Sequence, residues 1–225
     1  MIPLVLVHGF LGGSRQWAQQ ETYFSGKLEL IAVDLPGFGK NKHLPALRQI
    51  GEMADWVIAK LRDLGVREYH LLGHSMGGMI AQEIASRDAD HIASLIVYST
   101  GSLGVLPGRF ETIDESKARA TADGPNATAR RIAATWFLNG ERDAAFEGCA
   151  EIAEKAALDA INAGLDAMQG WSGQKALAQL TVKTLVIWGD QDRTYRWPQI
   201  EILWRIIPVS RLAVIPDCAH AVHLE

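Results

Sequence analysis

Gly73-His74-Ser75-Met76-Gly77-Gly78 lies between an apolar run, Tyr69-His70-Leu71-Leu72, and an amphipathic one, Met79-Ile80-Ala81-Gln82-Glu83-Ile84-Ala85. A strand that turns through G-x-S-x-G straight into a helix stands its serine on a turn so sharp that the backbone is strained. A side chain at Gly73 or Gly77 would collide with the neighbouring strand or helix, so glycine is required there. The reading predicts Ser75 Oγ at the carboxyl end of the strand. The helix N-terminus behind it would offer free N–H groups to a developing negative charge. A glycine-rich turn with an incidental serine has the same local pattern, so the rest of the chain must decide.

Other short apolar runs bounded by turn residues recur at Ile2–Val7, Leu30–Val33, Ile92–Tyr98, Thr184–Trp188 and Arg211–Ile215. Their hydrophobicity is continuous rather than alternating, as in strands buried on both faces of a parallel sheet. Helical stretches separate them. Met53, Trp56, Val57, Leu61 and Leu64 recur at helical spacing over Ile50–Leu64, with Gly65 as the stop. Pro198 opens another helix through Ile202, Leu203 and Ile206, which Pro208 ends. The alternation predicts an α/β fold, a doubly wound, mostly parallel sheet. Residues 101–180 break it: they are rich in Ala, Glu, Asp and Arg, with helical stretches near Asp114–Ala122, Ala127–Phe137, Phe146–Leu158 and Asp159–Met168. That is too long for a loop. The expectation is a helical lid at 101–180 over a core made of 1–100 and 181–225, covering the strand ends where open α/β sheets bind ligands.

The 225 residues are 48% hydrophobic and 21% charged with a formal net charge of −4, material for one globular core. No dense Lys/Arg cluster suggests a nucleic-acid surface. Cys149 and Cys218 have no metal spacing and make a poor disulfide framework, so reduced thiols in a cytoplasmic protein are expected. Met1–Val7 lacks the basic start of a signal peptide, and no apolar run approaches a membrane span. The expectation is a soluble protein with neither nucleic-acid nor membrane partners.

A serine hydroxyl needs a base beside it and an acid to orient that base. The run Thr184–Trp188 leads into Gly189-Asp190-Gln191-Asp192-Arg193, and Arg211–Ile215 into Pro216-Asp217-Cys218-Ala219-His220. Each candidate follows a strand, in the order Ser, Asp, His. Asp190 competes with Asp192 for the acid, and His223 with His220 for the base. His223 is expected to face a helix or solvent, His74 to brace the turn, and Asp34 to hydrogen-bond its own turn. His43, His70 and His91 have no evident partner. Trp17, Trp56, Trp188 and Trp204 fall at core positions. Trp136, Phe137 and Trp171 either wall a modest, largely apolar pocket or hold the lid's own core.

In these residues the chain resembles an α/β-hydrolase along essentially its whole length. His8-Gly9-Phe10 resembles the family's H-G motif and Asp34-Leu35-Pro36-Gly37-Phe38-Gly39 its D-x-P-G-x-G turn; Gly189–Asp192 resembles its acid loop, and Ala219-His220 with Glu225 its histidine loop. The resemblance implies Ser75 as nucleophile, Asp192 as acid and His220 as base, with an oxyanion hole from the N–H groups of Phe10 and Met76. It implies no cofactor and no metal. Ser75–Gln82 looks most like small-substrate esterases and enol-lactone hydrolases, which makes a small ester or lactone the expected substrate. His8–Gly13 with Trp17 is also similar to the menaquinone-pathway synthase, a lyase that eliminates pyruvate, although Met79 stands where its relatives carry arginine. A receptor of the same fold is a third reading, disfavoured by an intact triad. Family members usually carry a hairpin before the H-G strand and a helix after the glutamate, so uncovered apolar sheet surface is expected here.

Overall fold

A computed structural model describes residues 1–105 and 111–225; the 106–110 part of the expected lid lies outside the described residues. Six strands form one sheet: β1 (Leu4–Val7), β2 (Leu30–Val33), β3 (Tyr69–His74), β4 (Ile92–Tyr98), β5 (Thr184–Gly189) and β6 (Ser210–Ile215). Their order is β2-β1-β3-β4-β5-β6 and every pairing is parallel. The chain leaves β1 for β2 on one side and returns to β3 on the other, so the strand order reverses between β1 and β3. That reversal opens a crevice at the strands' carboxyl ends, between the loop carrying Phe10 and the turn carrying Ser75.

One sheet face is closed by α2 (Ile50–Asp63) and α3 (Met76–Arg87), whose Met53, Val57, Ile80 and Ile84 are buried with Val5, Leu71 and Val97 in the main core. The helix α9 (Trp197–Ile206) adds Ile200 and Leu203 to the same core. On the other face Leu6 and Tyr98 pack with Trp17, which leads into α1 (Ala18–Phe24). Leu4, Leu30, Leu72 and Ile187 of that face are only partly buried.

Among the described residues between β4 and β5 lie five α-helices, α4 (Ile113–Asp123), α5 (Pro125–Ala134), α6 (Phe146–Ala153), α7 (Leu158–Gln169) and α8 (Gln174–Leu177), with a 3₁₀ turn at Gly140–Arg142. One expected boundary is corrected. Phe146–Leu158 is not a single helix: α6 ends at Ala153, and Ala157 is extended before α7. Among the described residues no helix is long and apolar enough to cross a membrane, and no group of His, Cys, Asp and Glu is arranged to hold a metal ion.

Candidate active site

Ser75 joins β3 to α3 with φ 55° and ψ −119°, a conformation unfavourable for any residue with a Cβ. The surroundings over-determine it. Its N–H donates to Tyr98 O at 3.0 Å, and its carbonyl accepts Thr100 Oγ1 at 2.7 Å and Gly78 N at 2.9 Å. The glycines of the turn are needed for close approach. A Cβ on Gly73 would stand 2.1 Å from Gly77 O, and one on Gly77 2.3 Å from Val7 O. The loop after β1 presses on the serine as well, because a Cβ on Gly9 would lie 2.9 Å from Ser75 Cβ. That contact sets Phe10 beside the turn. The backbone N–H groups of Phe10 and Met76 have no acceptor among the described residues.

His220 follows β6 and Asp192 follows β5, and both are almost wholly buried. His220 Nδ1 lies 2.9 Å from Asp192 Oδ2. The other carboxylate oxygen, Oδ1, accepts Thr194 N at 2.8 Å and Tyr195 N at 3.1 Å, so this carboxylate is fixed by its own loop. With Nδ1 turned to a carboxylate, the proton sits on Nδ1 and Nε2 keeps a lone pair. Asp190 takes a different part: its Oδ1 accepts Asp217 N at 2.9 Å and braces the histidine loop.

The backbone of His220 is held from several sides. Its N–H and that of Ala221 both donate to Trp136 O, and Glu225 accepts from Ala219 N and from Leu138 N. The His220 carbonyl faces His74 Nε2 at 3.0 Å and accepts Tyr98 O–H at 3.1 Å. Sequence reasoning missed Tyr98 and the Trp136 carbonyl. Only the position of Tyr98, at the carboxyl end of the strand beside β3, pointed to it.

His74, expected to brace its own turn, instead bonds the loop that carries His220, through Nε2 to the His220 carbonyl. Burial and the neighbouring His220 and His223 hold its pKa well below the usual imidazole value, so it stays neutral. His223 refines an expectation: it packs against the helical turn Ser14–Trp17 that leads into α1, and Gln20 of α1 donates to its carbonyl at 2.7 Å. Its ring stacks on Trp17 at 4.3 Å, Nδ1 lies 3.0 Å from Tyr98 Oη, and burial pushes its pKa down to about 3. Asp34 corrects another: its carboxylate bonds Ser14 N at 2.8 Å and Ser14 Oγ at 2.7 Å, tying the loop after β1 to β2 instead of closing its own turn. His8 is fully buried, accepts Leu35 N on Nε2 at 3.0 Å, and therefore donates from Nδ1 to Gly9 O at 2.8 Å.

Ser75, His220 and Phe10 open onto one cavity of about 500 Å³, walled on the far side by α4, α5 and α7. Trp136 lines it; Trp171 does not. The Trp171 indole N–H donates to Glu83 Oε1 of α3 at 2.8 Å, so this side chain pins the inserted segment to the core and is corrected as a pocket wall. The lining is largely apolar, as expected, with Phe10, Ile161, Leu165 and Met168, while Thr128, Arg131 and Thr135 add polar groups beside Ile132.

A stretch of 102 residues is 35% identical to the dihydrolipoyllysine-residue acetyltransferase component of an acetoin cleaving system from Pseudomonas putida; it covers 45% of this chain and 28% of that protein. Over 225 residues the chain is 28% identical to the provisionally named carbamate hydrolase RutD of Pseudomonas savastanoi pv. phaseolicola, covering 97% and 86% of the two. Among solved structures, a thermophilic esterase from Thermogutta terrifontis with malate bound is 27% identical, with a TM-score of 0.89 and coverage of 100% of this chain and 85% of that one. The model of the alpha/beta hydrolase family matches residues 4–225, and the chain belongs to that family.

Proposed function

We propose that the protein is a serine hydrolase that cleaves a small carboxylic ester or lactone through an acyl-enzyme on Ser75. The observation that carries the reading is the hydrogen bond between His220 Nδ1 and Asp192 Oδ2, with His220 and Ser75 opening onto the same cavity. Nδ1–H bonded to a carboxylate leaves Nε2 as the base, and the imidazolium formed on proton uptake is stabilised by Asp192. Ser75 Oγ loses its proton to Nε2 as it attacks the carbonyl carbon. The oxygen that gains the negative charge is received by the Phe10 and Met76 N–H groups, the latter at the N-terminus of α3. Collapse expels the alcohol, which takes the proton back from His220. A water deprotonated by the same nitrogen then releases the acid. The helices between β4 and β5 serve as a lid that sets which substrates reach Ser75.

The test is a fluorophosphonate probe followed by peptide mass spectrometry, run beside turnover of a panel of p-nitrophenyl esters. One adduct on Ser75 and hydrolysis of short-chain esters are expected, both lost in Ser75→Ala. Labelling that persists in that variant would overturn the nucleophile. Labelling of Ser75 with silence on every ester would favour the lyase reading.

A further inference from the structure

The face that α5 turns toward Ser75 is not that of an acyl-chain pocket. Thr128, Arg131, Ile132 and Thr135 recur at i, i+3, i+4 and i+7, the spacing of one helix face, and all four line the cavity. Two of their polar groups lack partners. Thr128 is only 2% exposed, yet its Oγ1 makes no hydrogen bond, and Arg131 Nε is likewise buried without one. Among the described residues the one acid near the Arg131 guanidinium is Asp123, whose Oδ2 lies 3.9 Å from Nε, beyond hydrogen-bond reach. Buried hydroxyls and guanidinium N–H groups are rarely left unpaired, because each costs on the order of 1–3 kcal/mol. Both side chains line the cavity that Ser75 opens onto, so a ligand acceptor placed against this face would meet their unpaired donors after a small side-chain adjustment.

The charge of the lining specifies which acceptor. Glu111 also lines the cavity, but its carboxylate already meets Arg119 at 2.9 Å and accepts Ser116 Oγ at 2.9 Å. Arg193 and Arg196 stand at the exposed rim, and Arg196 has no ion-pair partner among the described residues. Among the described residues, three arginines therefore line a space whose one lining acid is matched elsewhere. A fork of N–H donors with a hydroxyl beside it fits a carboxylate group better than a neutral carbonyl or an alkyl chain.

We propose that the substrate carries, besides its scissile ester or lactone, a free carboxylate that Arg131 and Thr128 receive, while Arg193 and Arg196 draw it in. This rests on the hydrolase reading above and narrows its substrate class to the half-ester or carboxy-lactone of a small dicarboxylic acid. The cavity of about 500 Å³ accommodates such a molecule whole.

The test compares matched methyl esters by proton release: monomethyl succinate against methyl butyrate, and monomethyl glutarate against methyl pentanoate. Wild type should favour each anionic ester by at least tenfold in kcat/KM, mainly through KM, and added salt should erode the preference. Arg131→Gln should collapse the anionic-to-neutral ratio toward one, Arg131→Lys should restore part of it, and Thr128→Val should lower it by several-fold. Arg211→Gln, the same charge change on the exposed side of β6, should leave the ratio as it is. An equal or neutral preference in wild type, or a ratio that survives Arg131→Gln, would overturn the proposal. Calorimetric titration with succinate and glutarate reads the site without turnover. Ser75→Ala should bind them and Arg131→Gln should not. Binding by Ser75→Ala with no ester cleaved by wild type would sink the hydrolase reading and leave the carboxylate site standing; absence of binding sinks the site alone.

Discussion

Two aspartates separated by one residue, and two histidines separated by two, show what a sequence does and does not reveal about single side chains. Spacing presented Asp190 and Asp192 as rivals on one loop. The fold separates them by direction: one carboxylate reaches His220, the other the backbone of Asp217. Asp192→Asn should therefore lower kcat on a short ester by about 10³–10⁴-fold through the wrong histidine tautomer, whereas Asp190→Asn, which keeps an acceptor oxygen, should stay within about tenfold; the reverse ranking in steady-state assays would move the acid to Asp190. His220→Ala should be as damaging as Ser75→Ala. The strand-to-helix context made Ser75 legible, and order along the chain did the same for His220. The use of His223 was not legible, because nothing local shows that Trp17 and Tyr98, distant in sequence, close around it. Pairing hides in the same way for His70, whose Nδ1 lies 2.7 Å from Ser94 Oγ on the next strand.

At the level of elements, every strand was legible because each is a short apolar run closed by turn residues, and burial imposes that composition. The helices were readable where an apolar stripe crosses them, as in α2. The segment α1 passed unread because none of its residues is buried, so it carries no stripe to read. The break between α6 and α7 was also invisible: Glu154-Lys155-Ala156-Ala157 contains neither glycine nor proline, and packing around the 3% exposed Ala156 overrides a strong helix preference. Two glycines separate these forces by experiment. Gly148 sits on the exposed side of α6 with nothing within 4 Å of where a Cβ would stand. Gly148→Ala should therefore stabilise the protein by about 0.5–1 kcal/mol in urea denaturation, the ordinary glycine penalty of a helix interior. Gly77 is helical too, but its Cβ would meet the β1 backbone at Val7 O and His8 O, 2.3 and 2.5 Å away. Backbone cannot yield as a side-chain tip does. Gly77→Ala should cost about 4 kcal/mol or more, or leave no folded protein, and a loss under 1 kcal/mol would show that the α3–β1 contact relaxes far more easily than its geometry implies.

Across the whole molecule, the parallel sheet and the interruption between β4 and β5 were readable from alternation, but the order in which the strands lie was not. Hydrophobic runs say that a strand is buried without naming its neighbours. That order is what brings the ends of β1, β3, β5 and β6 to one rim, and it has a cost on the second sheet face. There His74 and His223 are enclosed with Trp17 and Tyr98 behind the proposed triad, while His8 is buried at the end of β1. Burial lowers the pKa of all three below that of a free imidazole, and for His74 and His223 the nearby histidines add to the effect. The folded protein thus binds fewer protons than the unfolded chain once the pH falls below about 6.5, the unfolded value. Stability is complete above that pH and declines below it, with each site continuing to cost until its own folded pKa is reached. For His223, at about 3 in the folded state, the decline extends across the whole mildly acidic range. Going from pH 7.5 to 5.5 should remove about 1.4 kcal/mol through this residue alone, with His74 and His8 acting in the same direction. Urea denaturation at the two pH values measures the total, and His223→Phe, which keeps a ring against Trp17, should reduce the loss by about that amount. A variant whose stability falls as steeply as that of wild type would mean that His223 takes up its proton without unfolding, and that the aromatic enclosure behind the candidate site is looser than its stacking distances imply.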